Sequence, residues 1–191
     1  MNKQNITLEE IERHLEEIRK ENNSFGAKAG GFFKVLLQLS ILPLLVYLVF
    51  AFLLGVAQVQ QASMSPNFSE GDFVIFNRLE TDYSFGDVVI AFNAEQEETS
   101  ILRIIGVPGD TIQITTDHKI MINGEVIRES WQTEGTLTQG EAYIPITLHE
   151  NEYFVLGDNR NDSIDSRSDE LGNVHKDDIL GIVVYRFKMS K

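Results

Sequence analysis

Hydrophobic positions change their period twice along the chain, and the two changes cut it into three segments. Near the N-terminus Leu8, Ile11, Leu15 and Ile18 recur at helical spacing with Glu and Arg between them, so the pattern predicts a short amphipathic helix. Thr7 and Glu10 stand three apart, the capping-box arrangement that starts such a helix. A helix of this kind can lie on a membrane, pair with a partner or simply stay solvated. Asn22-Asn23-Ser24, then Gly26, Gly30 and Gly31, predict a flexible joint after it. From Val35 to Ala57 there follow 23 residues without a charge, dominated by Leu, Val, Phe and Ile. At about 1.5 Å per residue such a helix spans a hydrocarbon core of roughly 30 Å. Gln38, Ser40 and Pro43 are tolerable near one end of a span. The run is too long for the apolar part of a signal peptide, so it predicts a transmembrane anchor.

Beyond Ala57 the period switches to short Val- and Ile-rich runs between turn residues, the pattern of strands. Strands are expected at Phe73–Phe76, Val88–Phe92, Ile101–Ile105, Thr111–Ile114, Lys119–Ile122, Val126–Ile127, Ile144–Leu148, Tyr153–Leu156 and Ile179–Phe187. Asn123-Gly124 between two of them is a two-residue hairpin signal, and Pro108-Gly109-Asp110 is a second sharp turn. Thr133 to Glu141 reads as the long exposed loop. The predicted fold is mostly β: one transmembrane helix, then an external antiparallel β domain of sandwich or barrel type. The domains are expected at 1–34 (tail), 35–57 (span) and 58–191 (β domain).

Charge sharpens this division. Residues 1–34 hold six basic and six acidic side chains, whereas everything after Lys34 holds ten basic and 23 acidic ones, so the whole net charge of −13 sits in the later part. Arg19, Lys20, Lys28 and Lys34 precede the span and the first basic residue after it is Arg78, which predicts a cytoplasmic N-terminus and an external β domain. An acidic domain lacks the basic face that nucleic acid needs. The absence of cysteine excludes disulfides, thiolate metal sites and thiol nucleophiles. The four histidines are scattered, and neither a metal nor a cofactor is expected.

Three clusters hold candidate chemistry. Ser63-Met64-Ser65-Pro66 follows the span closely, which would keep a serine near the bilayer surface. Arg103-Ile104-Ile105-Gly106-Val107-Pro108-Gly109-Asp110 reads as a strand entering a turn. Gly157-Asp158-Asn159-Arg160-Asn161-Asp162-Ser163-Ile164-Asp165-Ser166-Arg167 packs two arginines, three aspartates and two serines into eleven residues. So dense a set must satisfy its donors and acceptors mutually when buried, with Arg160 and Arg167 expected to pair with Asp158, Asp162 or Asp165.

In this order the clusters resemble the type I signal peptidases, membrane-bound serine proteases that remove signal peptides from exported proteins. The resemblance covers roughly residues 35–191. The third cluster matches the family's Gly-Asp-Asn-Arg-x-x-Ser-x-Asp-Ser-Arg pattern at every position, and Gly106-x-Pro108-Gly109-Asp110 and Ser63-Met64-x-Pro66 also fit. The resemblance implies a fold of coiled antiparallel sheets and a serine nucleophile served by a lysine base. It implies that Ser63 is the nucleophile, that Ser163 orients the base, and that Asp158, Arg160, Asp165 and Arg167 form the scaffold. It further implies exported pre-proteins or surface-assembled proteins as partners, the lipid bilayer as surroundings, and the cell membrane of a Gram-positive bacterium as location.

At one position the pattern breaks. Where the family has its lysine, directly before the arginine of the second cluster, this chain has Leu102 followed by Arg103. Leucine accepts no proton, and a guanidinium is too basic to serve. Gln61 and Asn67 also depart from the family's residues around the serine. His118 or Lys119 would have to come from another strand to replace the lysine. Leu102 is expected to make the pocket beside Ser63 apolar and dry. The sequence therefore supports a signal peptidase with Ser63 as nucleophile, or alternatively an inactive relative acting as a chaperone or scaffold for secreted or pilus-type surface proteins.

Overall fold

The computed structural model describes residues 8–94, 96–131 and 138–189. The chain divides into two compact units, 1–49 and 50–191. The first is the body of one helix, α1 (Leu8–Leu53), and it runs through residues 22–31 without a break. The expected joint there is helical instead. An interior glycine costs about 1 kcal/mol relative to alanine but removes no backbone hydrogen bond, so Gly26, Gly30 and Gly31 weaken a helix without ending it. Thr7 lies outside the described residues. Within α1, Lys34–Leu53 is long and apolar enough to cross a membrane, with a mean hydropathy of 2.4.

The apolar run extends to Ala57, but the helix stops four residues earlier. Leu54–Gln58 is strand β1, paired antiparallel with β2 (Phe73–Asn77) from Leu54↔Asn77 to Gln58↔Phe73. Gly55 makes the pairing possible, because a Cβ there would lie 2.0 Å from the Phe76 ring. Hydrophobicity alone cannot separate a strand that covers a sheet edge from the last turn of an apolar helix, and the helix ends at Leu53.

The β domain is antiparallel throughout. A seven-stranded sheet runs β1-β2-β11-β3-β4-β9-β10, where β3 is Val88–Asn93, β4 Glu98–Gly106, β9 Glu152–Leu156, β10 Val174–His175 and β11 Ile179–Phe187. A four-stranded sheet runs β7-β6-β5-β8, where β5 is Thr111–Ile114, β6 Ile120–Ile122, β7 Glu125–Val126 and β8 Ile146–Thr147. The expected strands are all present, with β1 and β10 added. Asn123 and Gly124 carry φ of 53° and 84°, the left-handed pair that the predicted hairpin between β6 and β7 requires. Gly140–Tyr143 is a 3₁₀ turn leading into β8, which is shorter than its apolar run, and residues 133–137 of the expected loop lie outside the described residues.

Strand β4 lies inside the large sheet and is buried from Ile101 onward, which explains why its apolar residues are consecutive on either side of Arg103. Leu102 and Ile104 pack with Val89, Ala91, Tyr153 and Val155 in one cluster. Ile101 joins Val59, Met64, Val74, Phe76, Val88 and Ile90 in a second. Ile105, Phe154 and Leu156 meet Ile112, Ile114, Ile120 and Leu148 in a third, which ties the small sheet to the large one.

Candidate functional site

Ser63 sits in a short 3₁₀ turn, Ala62–Met64, and is only 4% exposed. Met64 anchors this turn by filling the second cluster with no exposed surface. The 157–167 loop clasps it from the other side: the Asn159 amide donates to the Ser63 carbonyl at 2.8 Å, and the Asn159 side chain donates to the Ala62 carbonyl at 3.2 Å. Gly157 permits this close approach. A Cβ on it would fall 2.3 Å from Ser163 Oγ and 2.6 Å from the Ser63 carbonyl oxygen. Two of the three candidate clusters therefore meet at the two serines.

The polar cluster is a set of buried ion pairs. Arg103 presents Nε and Nη2 to both oxygens of Asp158, at 2.8 and 2.6 Å, and donates through Nη1 to the Gly86 carbonyl. Arg167 makes the same two-pronged contact with Asp165, at 2.8 Å on each arm, and also donates to the Arg160 carbonyl. Asp165 accepts from the Gly157 amide as well, fixing the start of the loop. Among the described residues the acid that Arg160 pairs with is Glu129 and not an aspartate of its own loop, and Arg160 donates through Nε to the Gly157 carbonyl. Three guanidiniums and three carboxylates thus neutralise one another out of water, the condition under which buried charge is tolerable.

Sequence reasoning missed three participants. Glu129 is the acid that Arg160 uses. Trp131 lies under the Arg103 guanidinium, 4.6 Å from its ring centroid. Asn67, first read as a departure, donates to both the Trp131 carbonyl and Asp158. The one available signal was composition: Trp131 is the chain's single tryptophan, three residues from Arg128 and two from Glu129.

The surroundings of the two hydroxyls decide what the site can do. Ser63 Oγ donates to the Ile101 carbonyl at 3.5 Å. The cleft beside it holds about 20 Å³ and is lined by residues 57–61, Ser63, Ile90 and Thr99–Ile101. No lysine, histidine, aspartate or glutamate is among them. Leu102 is fully buried, but with Val89, Ile104 and Val155 rather than in this lining. The expected apolar, dry wall is therefore a mixed one of Gln58, Gln60, Gln61, Thr99, Ser100 and Ile101, because successive strand residues face opposite ways. Among the described residues, Ser163 Oγ is buried and has no hydrogen-bond partner. His118 and Lys119 lie in the exposed turn between β5 and β6 and do not line the cleft. Lys119 contacts Asp117 at 2.6 Å and, with Thr115, holds that carboxyl down at about 2.

The family described as "Signal peptidase, peptidase S26" matches residues 32–188. The chain belongs to the signal peptidase S26 family. Its relatives include signal peptidase I P of Bacillus subtilis subsp. natto, 33% identical over 73% of this chain and 80% of the relative. Signal peptidase I of Bacillus licheniformis is 32% identical over 84% of this chain and 90% of its own. The crystal structure of a signal peptidase I from Enterococcus faecalis V583 is 27% identical, with a TM-score of 0.46 over 54% of this chain and 97% of that one. The family is that of the signal peptidase I serine proteases, and exported precursors are its substrates.

Proposed function

We propose that this signal peptidase-type protein receives exported pre-proteins at the cleft beside Ser63, on the outer side of the cell membrane, and holds them without cutting. Family membership supports the partner class. The observation that carries the second half is the state of the two serines. A serine hydroxyl is a weak nucleophile until a base takes its proton. Here Ser63 Oγ lies 3.5 Å from the Ile101 carbonyl in a cleft whose lining holds no Lys, His, Asp or Glu, and among the described residues Ser163 Oγ, by resemblance the hydroxyl that should orient a lysine, is buried without a hydrogen-bond partner. Leu102, packed among Val89, Ile104 and Val155, supplies no proton acceptor to either. The ion pairs of the 157–167 loop are formed meanwhile, so the loop that clasps the Ser63 turn is kept in place.

Signal-peptide removal with Ser63 as nucleophile is the second reading, and the retention of Ser63 in a buried, clasped turn favours it. A cleavage assay on a signal-peptide substrate in detergent separates the two. The parent is expected to process the substrate poorly or not at all. Leu102→Lys, alone or with Gln61→Gly, tests the resemblance directly: cleavage is gained if the lysine turns out of the Val89, Ile104 and Val155 cluster and reaches Ser63, since a base must lie within hydrogen-bond reach of the proton it takes. Robust cleavage by the parent that vanishes in Ser63→Ala would overturn the holding role.

A further inference from the structure

The helical segment ahead of the span has a pattern that the Ser63 cleft does not use. Leu8, Ile11, Leu15, Ile18, Asn22 and Phe25 follow at intervals of three, four, three, four and three residues. Between Leu8 and Phe25 every leucine, isoleucine and phenylalanine stands on this series, and all twelve other positions are polar or charged. The backbone of α1 is helical across the whole series. A repeat of 3.5 residues on a helix of about 3.6 residues per turn makes a narrow seam that stays in register with a neighbour only by supercoiling. Leu15, on that seam, is 61% exposed.

From this seam we infer that copies of this chain associate through residues 8–25 as a parallel coiled coil. Three observations select this occupant over a lipid surface or an unrelated helix. The stripe is two positions in seven, narrower than the broad apolar face of a helix lying in a membrane interface. Residues 8–24 carry six glutamates against three arginines and lysines, the wrong sign for an anionic bilayer surface. The single polar residue on the seam is Asn22, on the same heptad position as Leu8 and Leu15, and an asparagine there costs stability unless it meets its own counterpart in register. Copies that share one span enter the membrane in the same direction, which makes the alignment parallel and concentrates the helices. Leucine at the first seam position with isoleucine at the second favours bundles of more than two helices.

The chain has no cysteine, so single cysteines report the seam directly. Leu15→Cys, Ile18→Cys, Glu16→Cys and Glu17→Cys would each be made in the full chain and oxidised in native membranes. A disulfide needs Cα atoms within about 7 Å. Self-cross-linking is expected to be several-fold stronger at 15 and 18 than at 16 and 17, and to fall several-fold when Ile18→Glu is added to Leu15→Cys. The off-seam variants control for expression and insertion. Equal yields at all four positions, no self-cross-link at 15 and 18, or a cross-link to a different protein there would each overturn the proposal.

Discussion

Arg167 shows how much of the site's architecture rests on single side chains. It is 6% exposed, and its donors reach both oxygens of Asp165, the Arg160 carbonyl and the Thr138 hydroxyl. Removing it strands a buried carboxylate, and breaking such a pair costs about 3–5 kcal/mol. Arg167→Ala is accordingly expected to destabilise the β domain by that amount in chemical denaturation, and a variant as stable as the parent would mean the loop is solvated. The sequence offered Asp158, Asp162 or Asp165 to Arg167 because all lie in one loop, and the fold selects Asp165. Arg103 with Asp158 and Arg160 with Glu129 were not legible, since 55 and 31 residues separate them and only the fold brings them together. The same limit applies to Leu102, whose identity was plain from the motif while its separation from the cleft lining was not.

Strand β11 depends on a contact between elements that no local pattern announces. Asp72, just before β2, accepts from the Ser69 amide, from the Met189 amide beyond β11 and from Arg186 Nε at 2.7 Å. Burial pushes this carboxyl up, but the two amides and the guanidinium together hold it below the usual carboxylate range. A group with a lowered folded pKa stabilises the fold fully above its unfolded value of about 3.9, and that contribution fades as pH falls through the lower folded value. Thermal melts should place the parent above Asp72→Asn near neutral pH, with the gap closing below about pH 4. A gap independent of pH would mean that Asp72 acts through packing and not through its charge. The boundary of α1 belongs here too. An apolar run reads alike as span or strand, and the pairing of β1 with β2 places the change at Leu54.

The whole molecule is polarised, with a neutral N-terminal segment before an apolar helix and an acidic domain after it. Basic residues ahead of the span argue for a cytoplasmic tail. Protease added to intact cells or spheroplasts is expected to digest the β domain and spare the tail, and protection of the β domain would reverse the orientation. Composition and period were sufficient for the mostly β character beyond the helix and for nine of its eleven described strands, β1 and β10 being the exceptions. Those properties follow from each residue's own preference for lipid, water or a neighbour along the chain. The motif at 157–167 was likewise readable in place, because its residues are contiguous. Which hydroxyl is left without a partner, which acid neutralises Arg160 and which side chains line the cleft at Ser63 are set by approach between distant segments. Strand pairing creates those distances, and they exist nowhere in the order of the residues.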